Sequence, residues 1–74
     1  MSSDRVRIEV AFDGGQVIAT NVDVSASEAL ERALGSGDED TFALDADDGQ
    51  YTIALKRVVW IKRFARESRV GFGA

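Results

Sequence analysis

The 74-residue chain has no cysteine, no histidine and no proline, and it holds one tryptophan, one tyrosine and one methionine. The missing cysteine rules out disulfides. With histidine missing too, zinc sites of the common kind are excluded, as is every nucleophilic mechanism that needs a thiol or an imidazole base. No segment approaches the roughly 18 apolar residues of a membrane span, and MSSDRVRIEV contains no apolar run of signal-peptide length. A cytoplasmic protein without a membrane partner is the expectation. Lacking proline, the chain is punctuated by glycine alone. Its length allows one domain over residues 1–74, with 1–4 and 65–74 as extended or flexible tails. So short a chain buries little of its surface, and oligomerisation would add stability.

Charge is unevenly distributed. The net value is −4, but twelve of the thirteen acids lie in residues 1–50 beside three arginines, and six of the nine bases lie in residues 51–74 beside Glu67 alone. A basic strand neutralised by acidic strands of its own monomer is one reading. A positive face for an anionic partner, or acidic-to-basic contact between subunits, accounts for the same pattern.

Residues 5–12, RVRIEVAF, alternate Val6, Ile8, Val10 and Phe12 against Arg5, Arg7, Glu9 and Ala11, the period of a strand with one buried face. Asp13-Gly14-Gly15-Gln16 supplies a hairpin turn. The next strand, 16–24, is expected to turn Ile18, Thr20, Val22 and Val24 to one side. From Ser25 the period becomes helical: Ala26, Ala29, Leu30, Ala33 and Leu34 share a face. Ser25 with Glu28 fits a capping box, Ser27 being the alternative N-cap, Glu28 and Arg32 are spaced for an ion pair, and Gly35 is placed to end a helix of two to three turns. Strand alternation returns over 41–47 with Phe42, Leu44 and Ala46, turns at Asp48-Gly49, and continues with Tyr51, Ile53 and Leu55. Lys56-Arg57 marks a bend into a last strand, 58–64.

These elements predict an α+β domain of order β-β-α-β-β-β, an antiparallel, strongly curved sheet or partial barrel with one short helix. Its core is expected to contain Val6, Ile8, Val10, Phe12, Ile18, Val22, Leu30, Leu34, Phe42, Leu44, Tyr51, Ile53, Leu55 and Ile61. The last strand does not alternate cleanly. If Val59 and Ile61 face inward, Val58, Trp60, Lys62 and Phe64 face outward; the opposite register buries Trp60 and exposes Ile61. In either register a large apolar side chain faces outward, and one helix cannot cover both faces of a sheet. Val58, Trp60, Phe64, Val70 and Phe72 are therefore the candidate interface, toward a second copy or another protein.

The acidic turn Asp45-Ala46-Asp47-Asp48-Gly49 fails the EF-hand spacing, because glycine stands at the fifth position and Lys56 at the twelfth. It reads as a solvated hairpin, and Asp38-Glu39-Asp40 as a loop kept soluble by charge. No cofactor and no metal are expected. The acids fall at turns and strand surfaces, so a self-contained enzyme is not expected. Trp60 and Phe64 interleaved with Lys62, Arg63, Arg66 and Arg69 form a candidate anion contact of the kind that binds single-stranded nucleic acid by stacking and phosphate contact.

The succession of strand, DG turn, strand, SEAL-containing helix, strand ending in DG, and YTIAL-KR-VVWI resembles a group of small uncharacterised prokaryotic β-rich domains. The closing VVWI is similar to the last strand pair of Sm-like barrels. That resemblance implies a curved β-sheet, ring-like self-association and RNA as a partner, and it assigns no site residue.

Overall fold

The computed structural model describes residues 4–65. Strand β1, Arg5–Phe12, is followed by β2, Val17–Asp23, helix α1, Val24–Ser36, and strands β3, Thr41–Ala46, and β4, Gly49–Ala54. A single 3-10 turn, Leu55–Arg57, leads into β5, Val58–Arg63. The strands make two antiparallel sheets. One has the order β2-β1-β5, the other is the β3-β4 hairpin, and they are not closed into a barrel.

The alternation of β1 is realised directly, with Val6, Ile8 and Val10 buried on one face. The turn to β2 is closed by the Phe12 N–H donating to the Gln16 carbonyl at 2.8 Å, and Gly15 takes φ 90°, open to a residue without Cβ. Ala11 then pairs with Val17 and the ladder runs to Arg5 opposite Asp23.

Helix α1 begins one residue before the expected Ser25 cap and ends later than Gly35. Asp23 is its N-cap by backbone, but its carboxylate makes no capping bond and instead accepts from Arg5 Nη1 at 2.8 Å. The expected capping box is thus replaced by a cross-strand ion pair. At the other end Gly35 stays helical and Gly37, at φ 71°, provides the left-handed stop. The Ser36 hydroxyl reinforces the end by donating to the Ala33 carbonyl and accepting from the Asp38 N–H. Leu30 is fully buried and Ser27 is only 1 % exposed. Small Ala26, Ser27 and Ala33 let the helix lie close to the sheet, as the alanine-rich stripe implies.

β3 and β4 pair from Thr41 opposite Ala54 to Ala46 opposite Gly49, so Asp47 and Asp48 alone form the loop. Gly49 at φ 134° occupies a region closed to side-chain-bearing residues. The hairpin is joined to β2 by the Asp47 N–H donating to the Asn21 carbonyl at 3.1 Å, and the 3-10 turn is joined to the first hairpin by the Asp13 N–H donating to the Arg57 carbonyl at 2.9 Å.

The core consists of Val6, Ile8, Val10, Val22, Leu30, Leu44, Ile53 and Leu55, with Phe12, Ile18, Leu34, Phe42, Tyr51 and Ile61 packed at its edge. All fourteen residues expected from the alternation belong to it. Neither expected register of the last strand is adopted. Phe12 pairs with Val58 but Ala11 pairs with Trp60, so Val59 is an extra residue in a β-bulge. The bulge turns both Val58 and Ile61 toward the core, which a regular strand with three-residue spacing cannot do.

Candidate interaction surface

Residues directly opposite in antiparallel strands share a face. On the inner face, covered by α1, lie the rows Ile18-Val10-Ile61 and Thr20-Ile8-Arg63. On the outer face lie Val17-Ala11-Trp60, then Ala19-Glu9-Lys62, then Asn21 with Arg7. The Phe64 N–H donates to the Arg7 carbonyl at 3.0 Å, which extends the last row to Phe64. No element among the described residues lies over this outer face. Val17 is 50 % exposed, Val59 61 % and Trp60 44 %. Ala11 stands between Val17 and Trp60 and is buried.

Phe64 is the second aromatic of this face. Lys62 Nζ lies 4.4 Å from its ring centroid and the Arg7 guanidinium carbon 5.6 Å, so two cations occupy the ring's neighbourhood. Between them and Trp60, Glu9 stands directly opposite Lys62.

Four other cations among the described residues are paired with acids. Arg63 reaches under the inner face to α1, with Nη1 at 3.7 Å from Glu28 and Nη2 at 3.3 Å from Glu31. Arg57 meets Asp13 at 3.5 Å and Lys56 meets Asp40 at 3.1 Å. Arg5 joins Asp23 and Asp47. The expected Glu28–Arg32 pair does not form among the described residues, and Glu28 takes Arg63 instead. Of the candidate anion contact, Lys62 and Arg63 therefore lie on opposite faces of β5, and Arg66 and Arg69 lie outside the described residues. Of the candidate interface, Trp60 and Phe64 share the outer face, Val58 packs inward beside Phe12, and Val70 and Phe72 lie outside the described residues. The sequence reading left out Val17, Ala11 and Arg7. Their signal was the second parity of β1 and β2, which carries these three side chains to the face that bears Trp60.

The acidic turn between β3 and β4 is tied down rather than freely solvated. Tyr51 Oη donates to Asp48 Oδ2 at 2.5 Å and Thr20 Oγ1 donates to Asp48 Oδ1 at 3.0 Å. The Tyr51 bond, then the Thr20 bond, holds the Asp48 carboxyl below its ordinary range. The same carboxylate, with some desolvation, raises the Tyr51 phenol above its ordinary value. Asp47 contributes its ion pair to Arg5. Among the described residues no group of three acids is arranged to hold a metal ion. An open cleft of about 340 Å³ at the start of β1 and the end of β5 is lined by Asp4, Val6, Val24, Arg63, Phe64 and Ala65.

No protein-family model matches this chain, and neither any curated protein nor any solved structure is significantly similar to it.

Proposed function

We propose that the protein is a small non-enzymatic association module, which binds a second copy of itself or another protein through the outer face of the β2-β1-β5 sheet. The observation that carries this reading is the row Val17-Ala11-Trp60. It places two half-exposed large apolar side chains on either side of Ala11 on a sheet face that has no covering layer among the described residues. A lone exposed apolar residue calls for no explanation, but a contiguous set centred on tryptophan is the composition of an interface core. Charges begin in the next row, at Glu9 and Lys62, and continue to Arg7, as in a polar rim along one side of the row.

The test is sedimentation of the wild type and Trp60→Ala from micromolar to millimolar concentration. Association by the wild type and at least a tenfold weakening in the variant is the expected result. The variant's fold should persist, because the indole is partly exposed already. A wild type that stays monomeric over the whole range removes self-association.

A single-stranded nucleic acid on the same face is the second reading. It is favoured by one observation: Trp60, Lys62, Phe64 and Arg7 lie on one surface.

A further inference from the structure

Strand β5 has β1 on one side only, and no strand among the described residues pairs with its other side. The backbone bonds show which groups face that side. Because the Phe64 N–H donates to the Arg7 carbonyl, Arg7 and Phe64 are a hydrogen-bonded pair. By the alternation of antiparallel ladders Glu9–Lys62 and Ala11–Trp60 are hydrogen-bonded pairs too. Ile61 and Arg63 fall at the positions between, so their N–H and C=O groups point away from β1, to the open edge. An unpaired edge is a template for another strand.

We propose that the occupant of this edge is β5 of a second copy, antiparallel about a two-fold axis through Ile61, so that two three-stranded sheets become one of six strands. The choice of a second copy follows from the side chains of β5, which complement themselves in this register and in no adjacent one. With Ile61 opposite Ile61 of the partner subunit, each Trp60 faces Lys62 of the partner subunit on the outer face, a cation beside an indole. Val59 then lies opposite Arg63 of the partner subunit, and no charge meets its like. A shift toward the C-terminus sets Lys62 against its own copy, and the next shift sets Arg63 against its own copy. Both are penalised, because like charges directly opposite destabilise a strand pair. A shift toward the N-terminus draws the bulged Val59 into the ladder and sets Lys62 against the inward-facing Val58. The Ile61-centred register keeps the bulge at the end of the ladder without setting like charges opposite each other. The axis is perpendicular to the sheet, so the two outer faces lie on one side and the two helices on the other. An isologous contact of this kind closes at two copies.

This inference rests on the self-association of that reading and adds a second contact, at the strand edge beside the outer face. Chain chemistry makes the register testable, since no native cysteine interferes. Trp60→Cys and Lys62→Cys are prepared separately, mixed in equal amounts and oxidised under equilibrium conditions, with circular dichroism confirming that each is folded. In the proposed register the two cysteines face each other at a non-hydrogen-bonded pair, with Cα atoms about 4.5 Å apart and within disulfide reach. Two copies of either variant alone place their cysteines diagonally, about 7–8 Å apart, beyond reach. The expected result is a disulfide-linked dimer in the mixture at several times the yield in either separate sample. Cross-linking of Trp60→Cys alone or of Lys62→Cys alone overturns the register. No cross-link in the mixture, at a concentration where the mixed variants themselves sediment as dimers, overturns edge pairing and leaves association through the face standing. A wild type that is monomeric overturns both. Amide exchange in the unmodified protein gives an independent reading. Protection of the Ile61 N–H must rise with protein concentration, and protection that is independent of concentration overturns the edge contact.

Discussion

Asp48 sits in an exposed two-residue turn, yet its oxygens accept hydroxyls from Thr20 on β2 and Tyr51 on β4. A carboxylate can accept two donors at once, and each donor favours the charged form. An acid whose folded-state pKa lies below its ordinary 3.8 stabilises the fold in full above that value, and the contribution is lost as pH falls through the lower folded-state value. Tyr51 is the mirror case. Its phenol is raised above 10.0, so its contribution is complete below pH 10.0 and disappears as pH rises through the higher folded-state value. Asp48→Asn is therefore expected to lower the urea midpoint at pH 7, with the two proteins converging in acid below the ordinary carboxylate value. Tyr51→Phe should flatten the loss of stability above pH 10. Identical midpoints for Asp48→Asn and wild type at pH 7 would show that the turn does not fasten the hairpin to β2. The acidic run itself was visible in the sequence. Its partners were not, because Tyr51 meets Asp48 only through the local geometry of the β3-β4 hairpin, and Thr20 only once that hairpin has been laid against β2.

At the level of elements, most of the fold was legible where a single period runs unbroken. β1, β3 and β4 follow from alternation, and the core side of each is the apolar side. β5 was not legible, because its period is interrupted: the extra Val59 lets Val58 and Ile61 both face inward, and a bulge leaves no mark on composition. The helix ends shifted for a different reason. Asp23 was drawn to Arg5, and helix formation through Gly35 and Ser36 was sustained to a better left-handed stop at Gly37. Arg63 shares the parity of Ile61, so it lies on the helix side while its neighbour Lys62 faces outward, and adjacent residues of one strand cannot form a single anion contact. Two forces then hold α1 on the sheet. Leu30 is fully buried, and its truncation to alanine is expected to cost about 2–5 kcal/mol. The Arg63 pairs to Glu28 and Glu31 are partly exposed, and Arg63→Ala is expected to cost about 1 kcal/mol or less. Chemical denaturation of both variants checks the order. A larger loss for Arg63→Ala than for Leu30→Ala would mean that the ion pairs, not the leucine, seat the helix.

For the whole molecule, the polarised charge of the sequence turns into internal pairing. Arg5, Lys56, Arg57 and Arg63 each lie against at least one of the acids from residues 1–50, so the basic segment of the chain is folded onto the acidic one. Exposed pairs of this kind add little stability, but they decide what the surface offers to a phosphate backbone. A strand approaching these cations also approaches their carboxylates, and the net charge of −4 opposes its arrival. On the outer face, among the described residues, only Arg7 and Lys62 remain, with Glu9 beside Lys62. Neutralising two phosphates of a single strand gives a slope of log K against log salt of about −1.4. Titration of Trp60 fluorescence with oligothymidylate is therefore expected to show no saturable quenching at physiological salt and, at low salt, a slope no steeper than about −1.4. Such a result leaves the exposed indole to a protein surface. Saturable binding at physiological salt with a slope steeper than about −3 would require four or more phosphate contacts, more than Arg7 and Lys62 supply. It would bring Arg66 and Arg69 into the site and make nucleic acid, not a second copy, the partner of this face.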